Sequence, residues 1–134
     1  MKGTGMNVEK YLKGFKPKTE NGNLWMDAKP AGLLPLLKRL KSMGITRISS
    51  ITGMDTGNNI EVIYHFIHKK GTVNIRVSIG KKACSIDSIT GIYPGANLFE
   101  RELYEMLGVN IRNHPNLKRL FLSEESPKTP LRKQ

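Results

Sequence analysis

The chain has 134 residues, which fits a single domain that is large enough to bury a core without a metal or disulfides. Its 22 Lys and Arg residues exceed its 11 Asp and Glu residues, and the net charge of +11 indicates an acidic partner: nucleic acid, anionic lipid headgroups or an acidic protein surface. The one cysteine, Cys84, excludes an internal disulfide and a site built from several thiolates. We interpret Cys84 as a small, partly buried side chain.

We assign residues 1–22 to a polar N-terminal extension, in which Val8, Tyr11, Leu12 and Phe15 have the spacing of a short amphipathic helix. The first residues of this segment carry charge but lack the apolar region of an export signal. No run in the sequence approaches the ~18 apolar residues of a membrane span. We therefore expect a cytosolic chain that reaches a membrane through partners or surface charge.

The first strong helix signal lies at residues 31–43, where leucines recur at helical spacing and form an apolar face. Pro30 and Pro35 are tolerable near the first turn of a helix, so they place its start around residues 31–34. Gly44 is a natural residue just beyond its end. A short apolar run before this helix predicts a first strand.

Three later segments predict strands, at residues 47–52, 60–67 and 72–79. A turn-rich loop is expected at residues 53–59. The last two strands alternate apolar and polar residues around a short turn that contains Gly71, which predicts a β-hairpin. Because the second strand of this hairpin has one polar face, we expect the sheet to be open to water or to a partner on that side.

A polar connection leads to a second helix, for which Asn97 is the expected N-cap and Glu100 the acceptor of a capping box. Gly108 is expected to end it. The predicted buried stripe consists of Phe99, Leu103, Met106 and Leu107. The predicted outward face consists of Glu100, Arg101, Tyr104 and Glu105. From residue 110 onward we expect an extended basic tail with at most one helical turn.

The sequence lacks the spacing of common catalytic and ligand sites. It contains no Gly-rich phosphate loop. His65 and His68 are predicted to point to opposite faces of a strand, which makes them poor co-ligands of a metal. Helix solubility and salt bridges between subunits explain Glu100, Glu102 and Glu105 better than acid-base catalysis does. We therefore expect no catalytic, cofactor-binding or metal-binding residue on this chain.

The last third of the chain carries a series of motifs in a fixed order. They are Tyr93-Pro-Gly-Ala-Asn97, Glu100-Arg-Glu-Leu-Tyr-Glu105, Leu107-Gly-Val109, His114-Pro-Asn-Leu-Lys-Arg-Leu120 and Pro130-Leu-Arg-Lys133. With looser upstream similarity, residues 24–133 resemble the 30-kilodalton subunit family of respiratory Complex I (the NuoC type). That family includes the equivalent subunit of energy-converting membrane-bound hydrogenases and of archaeal Complex I-like enzymes.

The resemblance implies a small α+β domain: a mixed or antiparallel sheet with helices packed on it and an extended basic C-terminal tail. We accordingly divide the chain into an N-terminal extension (1–22), an α+β core (23–109) and a partner-binding tail (110–134). The resemblance also implies a scaffold subunit without a flavin, iron-sulfur cluster or metal of its own. The parent complex would be an NADH dehydrogenase, a deazaflavin dehydrogenase or an energy-converting hydrogenase, with this subunit on the cytoplasmic side of the cell membrane.

The resemblance further implies docking on the 49-kilodalton or hydrogenase-large-like subunit, beside the iron-sulfur subunits of the same complex. The helix face and the tail are then the expected partner surface. The predicted partner-binding residues are Glu100, Arg101, Glu102, Tyr104, Glu105, His114, Pro115, Leu117, Arg119, Pro130, Leu131, Arg132 and Lys133. Planar arginine side chains suit bidentate pairing with carboxylates at such an interface. For His114 and Pro115 the alternative is a capped turn whose imidazole satisfies backbone groups.

The chain departs from the family pattern at several positions. Glu105 stands where an aspartate is usual, and Leu107 where an aromatic residue is usual. Residues 123–128 lack the usual tryptophan and glycine, and the chain ends at Gln134 without the usual aspartate-tyrosine-proline. We interpret these differences as favouring a hydrogenase-type or archaeal complex over an NADH dehydrogenase.

The alternative from a different class is a basic nucleic-acid-binding module. The charge of +11 and the cations of the hairpin are compatible with it. Aromatic residues are only 7% of the chain, however, and no motif of the common RNA-binding domains occurs. A free-standing enzyme is disfavoured because no convergent site is visible.

Overall fold

The structure is a computed structural model, and it describes residues 18–68, 71–82 and 84–115. The strands in these ranges are β1 (Lys18–Glu20), β2 (Asn23–Ala28), β3 (Arg47–Asp55), β4 (Asn59–His68), β5 (Gly71–Gly80), β6 (Ser85–Asp87) and β7 (Asn110–Arg112). The helices there are α1 (Leu33–Ser42) and α2 (Asn97–Leu107), which follow 3-10 turns at Pro30–Gly32 and Pro94–Ala96. The predicted α+β fold is confirmed.

Five strands form one mixed sheet in the order β1-β2-β5-β4-β3. β2 and β5 run parallel, whereas the other neighbours are antiparallel. The predicted hairpin is confirmed as β4 and β5, in which Ile60 lies opposite Ile79 and Ile67 lies opposite Thr72. β6 and β7 form a separate parallel pair.

One face of the five-stranded sheet carries the hydrophobic core. Alternation along β4 buries Ile60, Val62, Tyr64 and Phe66, each of which is at most 1% exposed. Four leucines of α1 are also fully buried in this core: Leu33, Leu36, Leu37 and Leu40. Each leucine side chain removed from water contributes about 1.5–3 kcal/mol. The strand period and the helix period seen in the sequence therefore meet in a single core.

The opposite face of the sheet is polar, as the alternation along β5 predicts. Arg76 is exposed there, and its Nε lies 3.5 Å from a Glu61 carboxylate oxygen. Asn74 departs from the expectation of a solvated polar row, because it is only 3% exposed. Its side-chain amide donates to the Thr72 hydroxyl at 2.9 Å, and its side-chain oxygen lies 2.7 Å from His65 Nδ1. Hydrogen bonds across neighbouring strands therefore order part of this face.

The prediction that β3 ends at residue 52 is wrong, since the strand continues to Asp55. Asp55 is only 4% exposed. One of its carboxylate oxygens lies 2.9 Å from Lys81 Nζ, and the other accepts a hydrogen bond from the Gly57 amide at 2.8 Å. These contacts hold the end of β3 in the sheet, so residues 56–58 alone form the connection to β4.

Two strands lie within segments assigned to the N-terminal extension and the C-terminal tail. β1 pairs with β2, and β7 pairs with β6. β6 was not predicted, because a strand of three residues is too short to show an alternating pattern. The predicted amphipathic helix around Val8 and Phe15, and the tail beyond Pro115, lie outside the described residues. Cys84 is partly buried, as predicted.

A glycine lets α2 lie close to β3. Gly53 of β3 faces Leu103 and Leu107 of α2, and a Cβ atom added at Gly53 would meet a terminal methyl group of each leucine. Both leucines belong to the core, with exposures of 5% and 2%. The missing side chain at Gly53 therefore sets the distance between α2 and the sheet.

We expect Gly53→Ala to lower the free energy of unfolding by about 1–3 kcal/mol, because the added methyl group overpacks the contact with α2. Gly80→Ala is the matched control, since no atom lies within 4 Å of a Cβ atom added there. This control should be unchanged or slightly more stable. Urea unfolding of the full chain measures both variants, and equal stability of the two would contradict the close approach of α2.

Candidate partner-binding site

The start of α2 is anchored on the loop after α1. The Tyr93 hydroxyl donates to the Ile45 carbonyl oxygen at 2.6 Å, and the Tyr93 ring centroid lies 4.8 Å from that of Phe66. Burial raises the pKa of Tyr93 to about 12. Lys41 Nζ donates to the neighbouring Ile92 carbonyl oxygen at 2.7 Å. The segment before the helix is therefore fixed by contacts that are distant in sequence.

The prediction that Glu100 faces outward is wrong, because the residue is only 1% exposed. One carboxylate oxygen accepts a hydrogen bond from the Ser88 hydroxyl at 2.7 Å, and the other accepts one from the Ile89 amide at 2.8 Å. Burial raises the pKa of Glu100, and these two hydrogen bonds oppose the shift. Burial, followed by the charges of Glu100 and Asp87, raises the pKa of the Tyr64 hydroxyl.

The predicted capping box is also wrong. α2 has Ala96 at its N-cap position, and no side chain caps its first turn. Asn97 is the first helical residue instead of the cap. The carboxylate of Glu100 is turned away from the helix terminus because the amide and hydroxyl of the β6–α2 connection provide stronger competing donors.

His114 closes the same cluster from the β7 side. Its side chain is 1% exposed, and its Nε2 lies 3.2 Å from the Asn97 carbonyl oxygen and 3.8 Å from a Glu100 carboxylate oxygen. This contact matches the alternative considered for His114, in which the imidazole satisfies a backbone group. The neighbouring Pro115 is exposed. Glu100 and His114, predicted as surface residues, are thus brought together in the interior.

Glu105 is the second correction on α2, since it too is only 1% exposed. Leu103 and Leu107 are buried as predicted, whereas Phe99 and Met106 are only partly buried. Both changes follow from the rotation of α2 about its axis, which turns the glutamates at positions 100 and 105 inward. The predicted amphipathic helix is correct, but its buried side is displaced.

The exposed part of α2 consists of Leu98, Arg101 and Glu102, which we call the α2 face. These residues are three and four positions apart and share one side of the helix. Leu98 is 56% exposed, Glu102 is exposed, and Arg101 is partly exposed. Tyr104 is partly buried beside them. Sequence reasoning missed Leu98, although a leucine outside the predicted buried stripe was the available signal.

The remaining predicted partner-binding residues follow Pro115 and lie outside the described residues. They are Leu117, Arg119, Pro130, Leu131, Arg132 and Lys133. Counted from the sequence, the described residues hold 11 of the 22 Lys and Arg residues and 8 of the 11 acidic residues, a net charge of +3. Most of the net charge of +11 therefore belongs to the rest of the chain, including the tail.

The described residues favour binding over chemistry. Within residues 18–68, 71–82 and 84–115, no group of three His, Cys, Asp or Glu side chains is arranged to hold a metal ion. No helix in that part of the chain is long and apolar enough to cross a membrane. The buried carboxylate of Glu100 is occupied by hydrogen-bond donors, and the α2 face beside it presents an apolar side chain with charges of both signs.

Comparisons with known proteins agree with this arrangement. A family model described as the respiratory-chain NADH dehydrogenase 30 Kd subunit matches residues 26–134. The mitochondrial NADH-ubiquinone oxidoreductase 30.4 kDa subunit of Neurospora crassa is 33% identical over 143 residues, which cover 95% of this chain and 50% of that protein. One NADH-quinone oxidoreductase subunit, from Citrifermentans bemidjiense, is 29% identical over 132 residues, which cover 93% of this chain and 82% of its own length.

A solved structure has the same fold. It is a chain in the membrane-bound sulfane sulfur reductase, an archaeal respiratory membrane complex, and it matches with a TM-score of 0.83 at 18% sequence identity. The match covers 96% of this chain and 82% of that chain. The chain thus spans half of the Neurospora protein and about four fifths of the other two proteins. None of these comparisons supports the nucleic-acid-binding alternative.

We expect Glu100→Gln to change the pH dependence of stability. Because burial raises the folded pKa of Glu100, its contribution to the free energy of unfolding falls as pH rises from the unfolded pKa of about 4.3 through the folded pKa. The glutamine variant lacks this loss. Its stability relative to the wild type should therefore improve from about pH 4 to about pH 7, as measured by urea unfolding.

Glu102→Gln is the matched control on the exposed side of α2, and its difference from the wild type should not change in the same way. Glu100→Ala should lower the free energy of unfolding by about 1–3 kcal/mol, since it leaves the Ser88 hydroxyl and the Ile89 amide without their acceptor. A glutamine variant that loses stability relative to the wild type as pH rises would contradict the effect of burial on Glu100.

Proposed function

This chain belongs to the respiratory-chain NADH dehydrogenase 30 kDa subunit family, and from that premise we propose that it is a non-catalytic scaffold subunit of a Complex I-like membrane-bound oxidoreductase. It lies in the hydrophilic arm, on the cytoplasmic side of the membrane, and docks on the 49 kDa or hydrogenase-large-like subunit beside the iron-sulfur subunits. The parent complex is an NADH dehydrogenase, a deazaflavin dehydrogenase or an energy-converting hydrogenase.

The α2 face is the observation that carries this proposal. Leu98 exposes 56% of its surface on a helix whose neighbouring side chains pack in the core. It follows Pro94, which is also exposed, by one helical turn. An exposed leucine beside Arg101 and Glu102 supplies the apolar centre and charged rim that protein interfaces combine. The basic tail that starts after Pro115 extends the interface towards acidic surface of the partner.

We further propose that the chain itself carries no cofactor. The buried carboxylates whose contacts are resolved serve the fold: Glu100 binds the β6–α2 connection, and Asp55 binds Lys81 and the Gly57 amide. Redox centres would then lie on the other subunits. Metal analysis and visible absorbance of the purified chain test this, and a stoichiometric iron, nickel or flavin signal would contradict it.

The docking proposal is tested by isolating a tagged copy from gently solubilised native membranes and identifying the accompanying proteins by mass spectrometry. A hydrogenase-large-like subunit, iron-sulfur proteins and membrane subunits are expected. The electron-input subunits recovered with them would identify the donor of the complex. Recovery of the tagged chain alone, or with RNA, would refute the scaffold assignment.

We expect Leu98→Glu to reduce recovery of the large subunit by roughly 10-fold or more, because it places a charge in the apolar centre of the interface. Met54→Glu is the matched control, since Met54 is 55% exposed but lies on β3, away from α2. Both variants should unfold at the wild-type urea concentration. Normal recovery with Leu98→Glu would exclude the α2 face from the interface.

A further inference from the structure

A cleft opens between the β6–α2 connection and the residues that follow β7. Its volume is about 510 Å³, and its walls include Thr90, Asn97, Asn113, Pro94 and Pro115. The floor is next to the buried carboxylate of Glu100, since Ser88 both lines the cleft and donates to that carboxylate. The cleft thus joins the α2 face to the point where the tail begins.

The hydroxyl groups of this cleft point their protons inward. Ser88 has one hydroxyl proton, and it donates this proton to Glu100 at 2.7 Å. The Ser88 and Thr90 hydroxyl oxygens are 2.9 Å apart, so the proton in that contact comes from Thr90. The relay runs from Thr90 through Ser88 to the carboxylate. Thr90 therefore offers the cleft its oxygen lone pairs and no proton.

A second wall of the cleft offers another acceptor. The side-chain oxygen of Asn97 is buried and has no hydrogen-bond partner among the described residues. A buried polar atom without a partner costs about 1–3 kcal/mol, so this position favours an incoming donor. Thr90 and Asn97 lie on different elements and line the same cleft. Two acceptors thus converge on one space.

The local charge also favours a cation over an anion. The α2 N-terminus alone would attract an anion, with an effective charge of about +0.5. Glu100 lies in the first turn of α2 and opposes that effect. Arg112, a cation at the end of β7, is occupied by Asp87 at 2.8 Å. The cleft is therefore a site of acceptors with a carboxylate behind it, on a chain whose net charge is positive.

We propose that this cleft receives a lysine or arginine side chain of the partner subunit, whose terminal donors bind the Thr90 hydroxyl and the Asn97 side-chain oxygen. The assignment rests on the proposed docking function and names the chemistry of one contact within it. Exposed Pro94 and Pro115 at the cleft contact the apolar stem of such a side chain. The partner thus supplies a cation here, although the tail calls for acidic surface elsewhere.

The first test isolates tagged full-length variants from native membranes and measures recovery of the large subunit. Thr90→Lys puts a cation of the chain itself into the cleft, and recovery should fall roughly 10-fold or more. Thr46→Lys is the matched control, because Thr46 is exposed on the loop between α1 and β3. Asn97→Asp adds a negative charge without changing shape, so the large subunit should be retained at equal or higher salt.

Normal recovery with Thr90→Lys would overturn the assignment of a cationic occupant. So would an Asn97→Asp variant that loses the large subunit as Thr90→Lys does, because an occupant repelled by a carboxylate is not a cation. Urea unfolding of each variant separates loss of docking from loss of folding. If the wild type recovers the large subunit in these experiments, the scaffold proposal stands whichever way the cleft variants behave.

A second test needs no partner. NMR spectra of the isolated chain are recorded with increasing Nα-acetyl-arginine methylamide, and with the uncharged citrulline analogue as the matched probe. Shifts at Thr90 and Asn97 that saturate with the arginine probe, and that vanish in Thr90→Lys, are expected. Equal shifts with both probes, or none with either, would overturn the cation assignment even if the chain assembles normally.

Discussion

The burial of one carboxylate, that of Glu100, determines how α2 is presented. Removing a carboxylate from water is unfavourable, and it persists here because the Ser88 hydroxyl and the Ile89 amide replace the lost solvent contacts. With Glu100 turned inward, the helical period leaves Leu98 and Glu102 outside. A helix rotated to expose Glu100 would bury Leu98 and remove the apolar centre of the proposed interface. The internal hydrogen bonds and the external binding surface are thus two consequences of one rotation.

The same cluster fixes the place from which the tail leaves the domain. His114 is packed between α2 and Glu100, and β7 is held by its pairing with β6 and by the contact between Arg112 and Asp87. The described chain therefore ends at Pro115 beside the α2 face. A basic segment tethered next to an apolar contact binds the same partner at a raised effective concentration. This arrangement suits a protein whose positive charge lies mostly outside the described residues.

Periodic patterns predicted the parts of the fold that rest on burial alone. The β4–β5 hairpin and the leucine face of α1 follow from alternation and from helical spacing. The rotation of α2 did not follow, because glutamate on a helix is usually exposed and the donors to Glu100 lie 11 and 12 positions away in a loop. β6 and β7 were missed because their parallel pairing joins two three-residue segments. The site was located on the correct helix, and its exposed side was assigned wrongly.

The departures from the family pattern now divide into internal and external ones. Glu105 and Leu107 are 1% and 2% exposed, so their identities answer to the packing of this domain. They therefore carry little information about the parent complex, and the preference for a hydrogenase-type or archaeal complex has to rest on surface positions. A TM-score of 0.83 at 18% identity shows that this fold tolerates wide sequence change. What distinguishes one complex from another is then expected on the α2 face, in the adjoining cleft and along the tail, where side chains meet the partner instead of the core.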